Sequence, residues 1–290
     1  MNRFYIVDVF AERRYGGNQL AVFLLDEPLS ATEMQAMARE IGFSESTFVT
    51  PVSGEDGSFT VRIFTPAREI PFAGHPSLGT AHVIRTSGLA DAETVVLAME
   101  AGKIPVRRDP AAGDILWMAH PQPEFGDTLP KAKLAVVLGL SQDDIAAEWP
   151  AEEVSTGLGH IVVPLVSLDA LRRAKVDRAA YFDLIETTRA KNLLVFAPEP
   201  HEPGNDLSIR MFADYLGIAE DPATGSGNGC LLAYLARHKY WGNSNIAVRS
   251  EQGYEIGRPS LLHGKAEIRD QRYTILVGGR VMPVAQGIWG

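Results

Sequence analysis

The chain has one cysteine, no long apolar run and fewer basic than acidic residues. Cys230 is the sole cysteine among 290 residues, so no disulfide can form within the chain and no cysteine cluster can bind a metal. A single thiol is typical of a reducing compartment, which predicts a cytoplasmic protein. The sequence contains no run of 18 apolar residues, and its start lacks the basic and apolar regions of a secretory signal. We therefore expect neither a membrane segment nor export.

The charge balance argues against nucleic-acid binding. Lys and Arg total 27 against 36 Asp and Glu, which gives a net charge of −9 at pH 7, and no basic cluster interrupts the acidic excess. Nucleic-acid surfaces need clustered positive charge. The balance instead favours a small-molecule ligand. The composition, 46% hydrophobic and 22% charged, is that of an ordinary globular protein.

The two halves of the chain carry similar signals in the same order. Arg62 and Phe64 in the first half match Arg210 and Phe212 in the second, each 148 residues later (210 − 62 and 212 − 64). A repeat at about half the chain length predicts two similar domains related by a pseudo-twofold axis. Short strands around one long helix in each half predict an α+β fold with a curved sheet wrapping that helix.

We place the domains at residues 1–121 and 128–278, on either side of a proline-containing connector. Residues 279–290 have no counterpart at the end of the first half, so they are a candidate completion of the first domain. A helix is predicted from Ser30 to Ile41, where apolar residues recur at helical spacing and Gly42 follows.

Each half also contains a glycine-rich loop that opens an apolar helix. Pro76–Thr80 matches Pro222–Ser226 at an offset of 146 (222 − 76), which places His75 and Asp221 at corresponding positions before each proline. Free N–H groups at the start of a helix attract anions. We therefore expect the two loops to meet at one cleft and to bind a carboxylate or phosphate.

Three side chains could move a proton. Glu45 lies in a run of hydroxyl and aromatic residues, where burial would raise its pKa toward the range of a general base. A solvated glutamate at a strand edge is the alternative. His75 and Asp221 could provide the acid or base, although a core histidine and a turn-forming aspartate are the structural alternatives. One base and one acid in a cleft are the equipment of an isomerase.

Five motifs together resemble the PhzF-type phenazine biosynthesis family, a relative of diaminopimelate epimerase, over nearly the whole chain. In chain order they are GGNQLAVF (Gly16–Phe23), FSESTF (Phe43–Phe48), RIFTPAREIPFAGHPSLGTA (Arg62–Ala81), EDPATGSGNG (Glu220–Gly229), and EQG with GRPS (Glu251–Ser260). The resemblance implies two epimerase-like domains, each a barrel-like sheet around a central helix, with the active site between them. It also implies an isomerase without cofactor or metal, in a family in which homodimers are common.

The resemblance also implies roles for single residues. Glu45 matches the family's catalytic glutamate, His75 the histidine of its GHP motif, and Asp221 the aspartate of its DPxTGS motif. The remaining matches are substrate-binding positions: Asn18, Gly74, Thr224, Gly225, Ser226, Gln252 and Gly253. The expected substrate is a small metabolite that carries a carboxylate.

Two departures from the family pattern concern the shape of the pocket. Gln19 replaces the usual proline after Gly-Asn, and Gly227–Gly229 replaces a small apolar run.

Two other functions stay open at this point. An epimerase or racemase would need a second proton donor, for which His75 or Asp221 is the candidate, and a binding protein would keep the cleft without turnover. The two-cysteine chemistry of the epimerase is excluded because Cys230 stands alone, in a helix pattern that favours a buried structural thiol.

Overall fold

The structure is a computed structural model that describes residues 1–53 and 56–290. Helices and strands mix along the chain, which confirms the predicted α+β class. The helices are α1 (Ala31–Ile41), α2 (Gly74–Thr86), α3 (Lys131–Leu138), α4 (Leu168–Arg173), α5 (Arg178–Glu186) and α6 (Gly225–Arg237). The strands are β1 (Asn2–Val9), β2 (Asn18–Leu24), β3 (Ser46–Ser53), β4 (Phe59–Phe64), β5 (Glu69–Ile70), β6 (Thr94–Met99), β7 (Gly102–Asp109), β8 (Ile115–Ala119), β9 (Glu124–Leu129), β10 (Ala151–Ser155), β11 (Gly159–Pro164), β12 (Asn192–Ala197), β13 (Leu207–Ala213), β14 (Ile218–Asp221), β15 (Ile246–Gln252), β16 (Ser260–Arg269), β17 (Arg272–Gly279) and β18 (Val281–Trp289).

The chain divides into two compact units. The first contains Met1–Ala119 and Gly278–Gly290, and the second contains His120–Val277. None of the helices in the described part of the chain has the length and apolar character needed to span a membrane.

In the first unit, strands β18, β1, β2, β3, β4, β6, β7 and β8 pair in this order. The β2–β3 and β4–β6 pairs are parallel, and the other pairs are antiparallel. Parallel neighbours need a crossover connection, which α1 provides between β2 and β3 and α2 provides between β4 and β6.

The second unit repeats this pattern. Strands β9, β10, β11, β12, β13, β15 and β16 pair in order, with β11–β12 and β13–β15 parallel. Helices α4 and α5 cross over between the first parallel pair, and α6 crosses over between the second. The C-terminal strand β18 thus takes, in the first unit, the place that β9 takes in the second.

Each unit packs its sheet around one buried helix. Helix α2 buries 10 of its 13 residues and contacts strands on both sides of the β2–β3 pair. Helix α6 buries 11 of its 13 residues against β10, β11 and β16. A helix that is enclosed on nearly all sides has no solvent face to fill with charged residues. Small and apolar residues therefore dominate both helices.

Helix α1 begins and ends where the sequence predicts. Ser30 forms a capping box with Glu33, and Gly42 closes the helix in the left-handed conformation (φ 72°) with its N–H donating to Ala38. Met34 and Ala38 face inward and pack in a cluster with Phe23, Phe48 and Phe64. The cluster holds α1 against the β2–β4 part of the sheet.

The register of the repeat differs in one respect from the prediction. Arg62 lies opposite Phe48 in the β3–β4 pair, and Arg210 lies opposite Val195 in the β12–β13 pair. The two arginines therefore occupy equivalent strand positions, 148 residues apart. The two buried helices, however, begin 151 residues apart (225 − 74). The segment between β13 and α6 is therefore longer than the one between β4 and α2, and the arginine-to-helix distance along the chain grows by three residues (151 − 148).

The predicted match of His75 with Asp221 is therefore wrong. At an offset of 151, His75 corresponds to Ser226, the second residue of its helix, and Asp221 corresponds to Ile70. The prolines that suggested the match occupy different places, since Pro76 lies inside α2 whereas Pro222 precedes α6.

Candidate active site

The structure brings Glu45 and His75 together in the first unit. Glu45 directly precedes β3, and His75 is the second residue of α2. The Nε2 atom of His75 lies 3.4 Å from Oε2 of Glu45, and their side chains are 7% and 14% exposed. This separation is longer than a typical hydrogen bond of about 2.7–3.2 Å, so the two side chains are in close polar contact.

Burial governs the titration of Glu45. Loss of water around the carboxyl raises its pKa above the ordinary value of 4.5, and a hydrogen bond from Ser44 partly opposes this effect. The Ser44 hydroxyl also contacts Oδ1 of the buried Asn18 at 3.4 Å. The carboxyl of Glu45 is thus poorly hydrated yet partly exposed. Both properties suit a group that exchanges protons with a substrate.

The first turn of α2 presents backbone donors close to this pair. Ala73 caps the helix without a side-chain hydrogen bond, and Gly74 is its first residue. Pro76 has no N–H, and Ser77 is the first residue whose N–H bonds back into the helix, to Ala73 at 3.3 Å. The N–H of Gly74 therefore has no carbonyl acceptor within the helix. Such N–H groups at the start of a helix can bind an anion.

In the second unit, the structure brings together Asp221, Thr224 and Gln252. Asp221 ends β14, Thr224 is the N-cap of α6, and Gln252 ends β15. The Thr224 hydroxyl donates to Oδ2 of Asp221. Its N–H donates to Oε1 of Gln252 at 3.1 Å. Both hydrogen-bond donors of Thr224 therefore have partners within the protein.

These contacts occupy hydrogen-bonding groups of two residues that are predicted to bind substrate. The Thr224 N–H cannot donate to a substrate while it donates to Gln252. The Gln252 side chain is buried, and hydrogen bonds within the protein occupy its oxygen and nitrogen. The sequence could not show that Thr224, at the start of α6, and Gln252, at the end of β15, are partners of each other.

Gly225 and Ser226 keep the geometry that the prediction requires. They are the first two residues of α6, and the first backbone bond of the helix runs from Asn228 N–H to Thr224 at 3.0 Å. Helix geometry leaves their N–H groups without intrahelical acceptors. They are therefore the donors at this loop that fit a carboxylate.

Gly253 acts through its backbone. It adopts the left-handed conformation (φ 78°), and a Cβ atom there would overlap the carbonyl oxygens of Arg258 and Pro222. Only glycine allows the chain to pass this close to Pro222, directly after Gln252. The residue thus holds the end of β15 against the loop that precedes α6.

The repeat reveals a residue that the sequence analysis missed. Since Phe48 corresponds to Val195 in the strand pairing, Glu45 corresponds to Asn192 (45 + 147). Asn192 is buried, and its Nδ2 donates to Gly159 at 3.3 Å. The second unit therefore carries a neutral amide where the first carries its carboxyl.

Cys230 is buried in the second unit, as predicted. Its thiol lies 3.6 Å from Nδ1 of His160, and burial raises the thiol pKa to about 11. Burial also lowers the pKa of His160 and of His120 to about 4. Neutral imidazoles and a protonated thiol at pH 7 are typical of core residues. Across residues 1–53 and 56–290, no three His, Cys, Asp or Glu side chains are arranged to hold a metal ion.

Comparison with known proteins gives a consistent result. A sequence model of the phenazine biosynthesis-like proteins matches residues 7–287. The trans-2,3-dihydro-3-hydroxyanthranilate isomerase of Pseudomonas aeruginosa is 36% identical, with 99% of each chain covered. A crystal structure of a PhzF-family phenazine biosynthesis protein from Bacillus anthracis superposes with a TM-score of 0.91 at 26% identity, over 99% of this chain and 98% of that one. A hydroxyproline epimerase from Agrobacterium vitis shares the fold, with a TM-score of 0.62 at 11% identity over 99% and 90% of the two chains.

Proposed function

Because the chain belongs to the phenazine biosynthesis-like family and is an isomerase of the PhzF type, we propose that it isomerises a cyclic, unsaturated carboxylic acid of the dihydrohydroxyanthranilate kind. Glu45 takes a proton from one carbon of the substrate and returns it to another. One C–H bond breaks, one forms and the double bonds shift, so that the atoms balance without a redox partner. The contact between Glu45 and His75 in a poorly hydrated setting carries this proposal.

The carboxylate of the substrate supplies the second element of recognition. The Gly74 N–H lies in the same first helical turn as His75, and a carboxylate bound there places the rest of the substrate close to Glu45. The helix dipole adds a favourable interaction of about 0.3–1 kcal/mol with such an anion. We propose Asp221, Gly225 and Ser226 as further substrate contacts, as the family resemblance implies.

The choice of an isomerase over an epimerase is supported by Asn192. A two-base racemase needs a second titrating group on the opposite face of the substrate. The position in the second unit that corresponds to Glu45 holds an amide that does not titrate in the physiological range. A single carboxyl that both removes and returns the proton therefore fits this chain better.

The experiment is turnover of trans-2,3-dihydro-3-hydroxyanthranilate in heavy water, followed by NMR of the product. We expect deuterium at the newly protonated carbon, less the share that Glu45 returns before it exchanges with solvent. Glu45→Gln keeps the shape and removes the titrating group, and turnover should fall at least about a hundredfold. Parent-like turnover by this variant would remove Glu45 from the mechanism.

Two further expectations accompany the function. We propose a cytoplasmic homodimer, so light scattering should give twice the mass of the 290-residue chain. We also propose that turnover needs no cofactor or metal. Dialysis against a chelator should leave the rate unchanged, and a loss that an added metal ion restores would contradict this proposal.

A further inference from the structure

The side-chain amide of Gln252 is held in one orientation by two backbone groups. Its Oε1 accepts from the Thr224 N–H at 3.1 Å, and its Nε2 donates to the carbonyl of Asp221 at 2.8 Å. A backbone N–H can only donate and a backbone carbonyl can only accept. The oxygen and nitrogen of the amide therefore cannot exchange places without losing both bonds.

This orientation determines the direction of the next hydrogen bond. The second hydrogen of Gln252 Nε2 points to the Thr224 hydroxyl, 3.0 Å away. The hydroxyl has a single hydrogen of its own, and its oxygen already accepts from the amide. That hydrogen must go to its other partner, Oδ2 of Asp221. The chain of bonds thus runs in one direction, from Gln252 through Thr224 to Asp221.

Burial strengthens this arrangement. Gln252 is 1% exposed, and Asp221 and Thr224 are each 7% exposed. Asn228 supplies a second donor to Gln252 Oε1 at 3.3 Å, and it also donates to the Thr224 carbonyl at 3.1 Å. Reversing any one bond would leave a buried polar group without its partner, which destabilises the folded protein.

We infer that Gln252 is a positioning residue for the reaction: it directs the Thr224 hydroxyl proton onto Asp221 and so keeps Oδ2 of Asp221 a hydrogen-bond acceptor. The inference rests on the proposed function in that Asp221 contacts the substrate. An acceptor oxygen cannot at the same time deliver a proton, so Asp221 does not serve through Oδ2 as the acid of an epimerase. A substrate group that meets Oδ2 of Asp221 is accordingly a donor, such as an amino or hydroxyl group.

Kinetics of Gln252→Glu, Thr224→Val and the double variant test the role of Gln252. A carboxylate at position 252 cannot donate to Thr224, and valine has no hydroxyl to relay. We expect each single change to lower kcat at least about tenfold with KM changed less than about threefold. Because both changes interrupt one relay, the double variant should lose no more than about twofold beyond the worse single variant. Losses that multiply would overturn the inference.

Two controls separate positioning from folding. Thr224→Ser keeps the hydroxyl and should recover most of the rate that Thr224→Val loses. Glu251→Gln alters the neighbouring buried side chain, which accepts from Glu202 N–H at 2.9 Å and Asn205 Nδ2 at 2.6 Å. It should lower Tm but leave kcat within about threefold of the parent, because Glu251 has no part in the relay. A similar kcat loss in Glu251→Gln would assign the effect of Gln252 to folding.

Neutron diffraction from a crystal of the deuterated parent protein tests the bond directions without any substrate. We expect a deuteron on Oγ1 of Thr224 directed at Asp221, and both Nε2 deuterons of Gln252 directed at the Asp221 carbonyl and at Thr224. A deuteron on Oδ2 of Asp221 would overturn the inference. This result is independent of turnover, so failure of the proposed function and failure of the relay are distinguishable.

Discussion

Arg210 holds the carboxylate of Glu220 through two parallel hydrogen bonds, from Nε at 2.9 Å and from Nη2 at 2.7 Å. Its Nη1 also donates to the carbonyls of Leu171 and Ala174, at 3.0 and 2.6 Å. Because Glu220 directly precedes Asp221, this ion pair ties the end of β14 to the C-terminal end of α4. The candidate site thus depends on a buried charge pair behind it.

The first prediction compares this pair with its counterpart in the other repeat. Arg62 binds Glu69 with the same two-bond geometry, at 2.6 Å for each bond, but these side chains are 33% exposed against 10% and 9% for Arg210 and Glu220. Removing one partner of a buried pair costs about 3–5 kcal/mol, whereas an exposed pair contributes about 0–1 kcal/mol. Urea unfolding should therefore show a much larger loss for Glu220→Gln than for Glu69→Gln. Equal losses would show that burial does not set the strength of these pairs.

The second prediction concerns stability and pH at Glu45. Burial raises the folded-state pKa of this carboxyl above 4.5, so the folded protein holds the proton more tightly than the unfolded chain does. Binding of this proton stabilises the folded protein fully below the pKa of Glu45 in the unfolded chain. This stabilisation is lost as the pH rises through the higher pKa of Glu45 in the folded protein. At pH 8, Glu45→Gln should therefore raise Tm, by about 1–2 °C for each kcal/mol gained in a chain of this length. The gain should vanish near pH 4, and a constant difference at both pH values would argue against a titration effect.

The third prediction concerns the pH dependence of turnover. If ionised Glu45 is the base, kcat/KM falls as the pH drops through its raised pKa, so the acidic limb should lie above pH 4.5. The hydrogen bond from Ser44 favours the ionised carboxylate. Ser44→Ala should therefore move the limb to higher pH. A limb that moves to lower pH would show that another group controls it.

The fourth prediction separates two glycines that have similar backbone angles. Gly253 and Gly257 have φ of 78° and 72°, but only Gly253 has carbonyl oxygens where a Cβ would lie. Alanine at a left-handed position costs roughly 1–2 kcal/mol from backbone strain alone. Gly257→Ala should lose about that much stability, while Gly253→Ala should lose more and should also reduce turnover, because the clash displaces Pro222 next to Asp221. Comparable Tm and kcat values for the two variants would contradict this assignment.

The sequence predicted those features that depend on local pattern. The capping box at Ser30 and the left-handed Gly42 set the ends of α1, and the apolar helices behind each glycine-rich loop became the buried helices of the two units. The α+β class followed from the same patterns. Likewise, Glu45 stood out as a charged residue in a run of hydroxyl and aromatic residues, and its side chain is only 14% exposed, so that loss of water raises its pKa.

The sequence by itself determined the repeat, the family and the identity of the candidate side chains, because these depend on residue type and order. Tertiary structure alone decided the register between the repeats, since a turn that is three residues longer leaves the helical pattern unchanged. It also decided that Thr224 and Gln252 bond to each other and to Asp221. A hydrogen bond needs a partner that a distant strand brings within about 3 Å, and residue spacing along the chain carries no information on that distance.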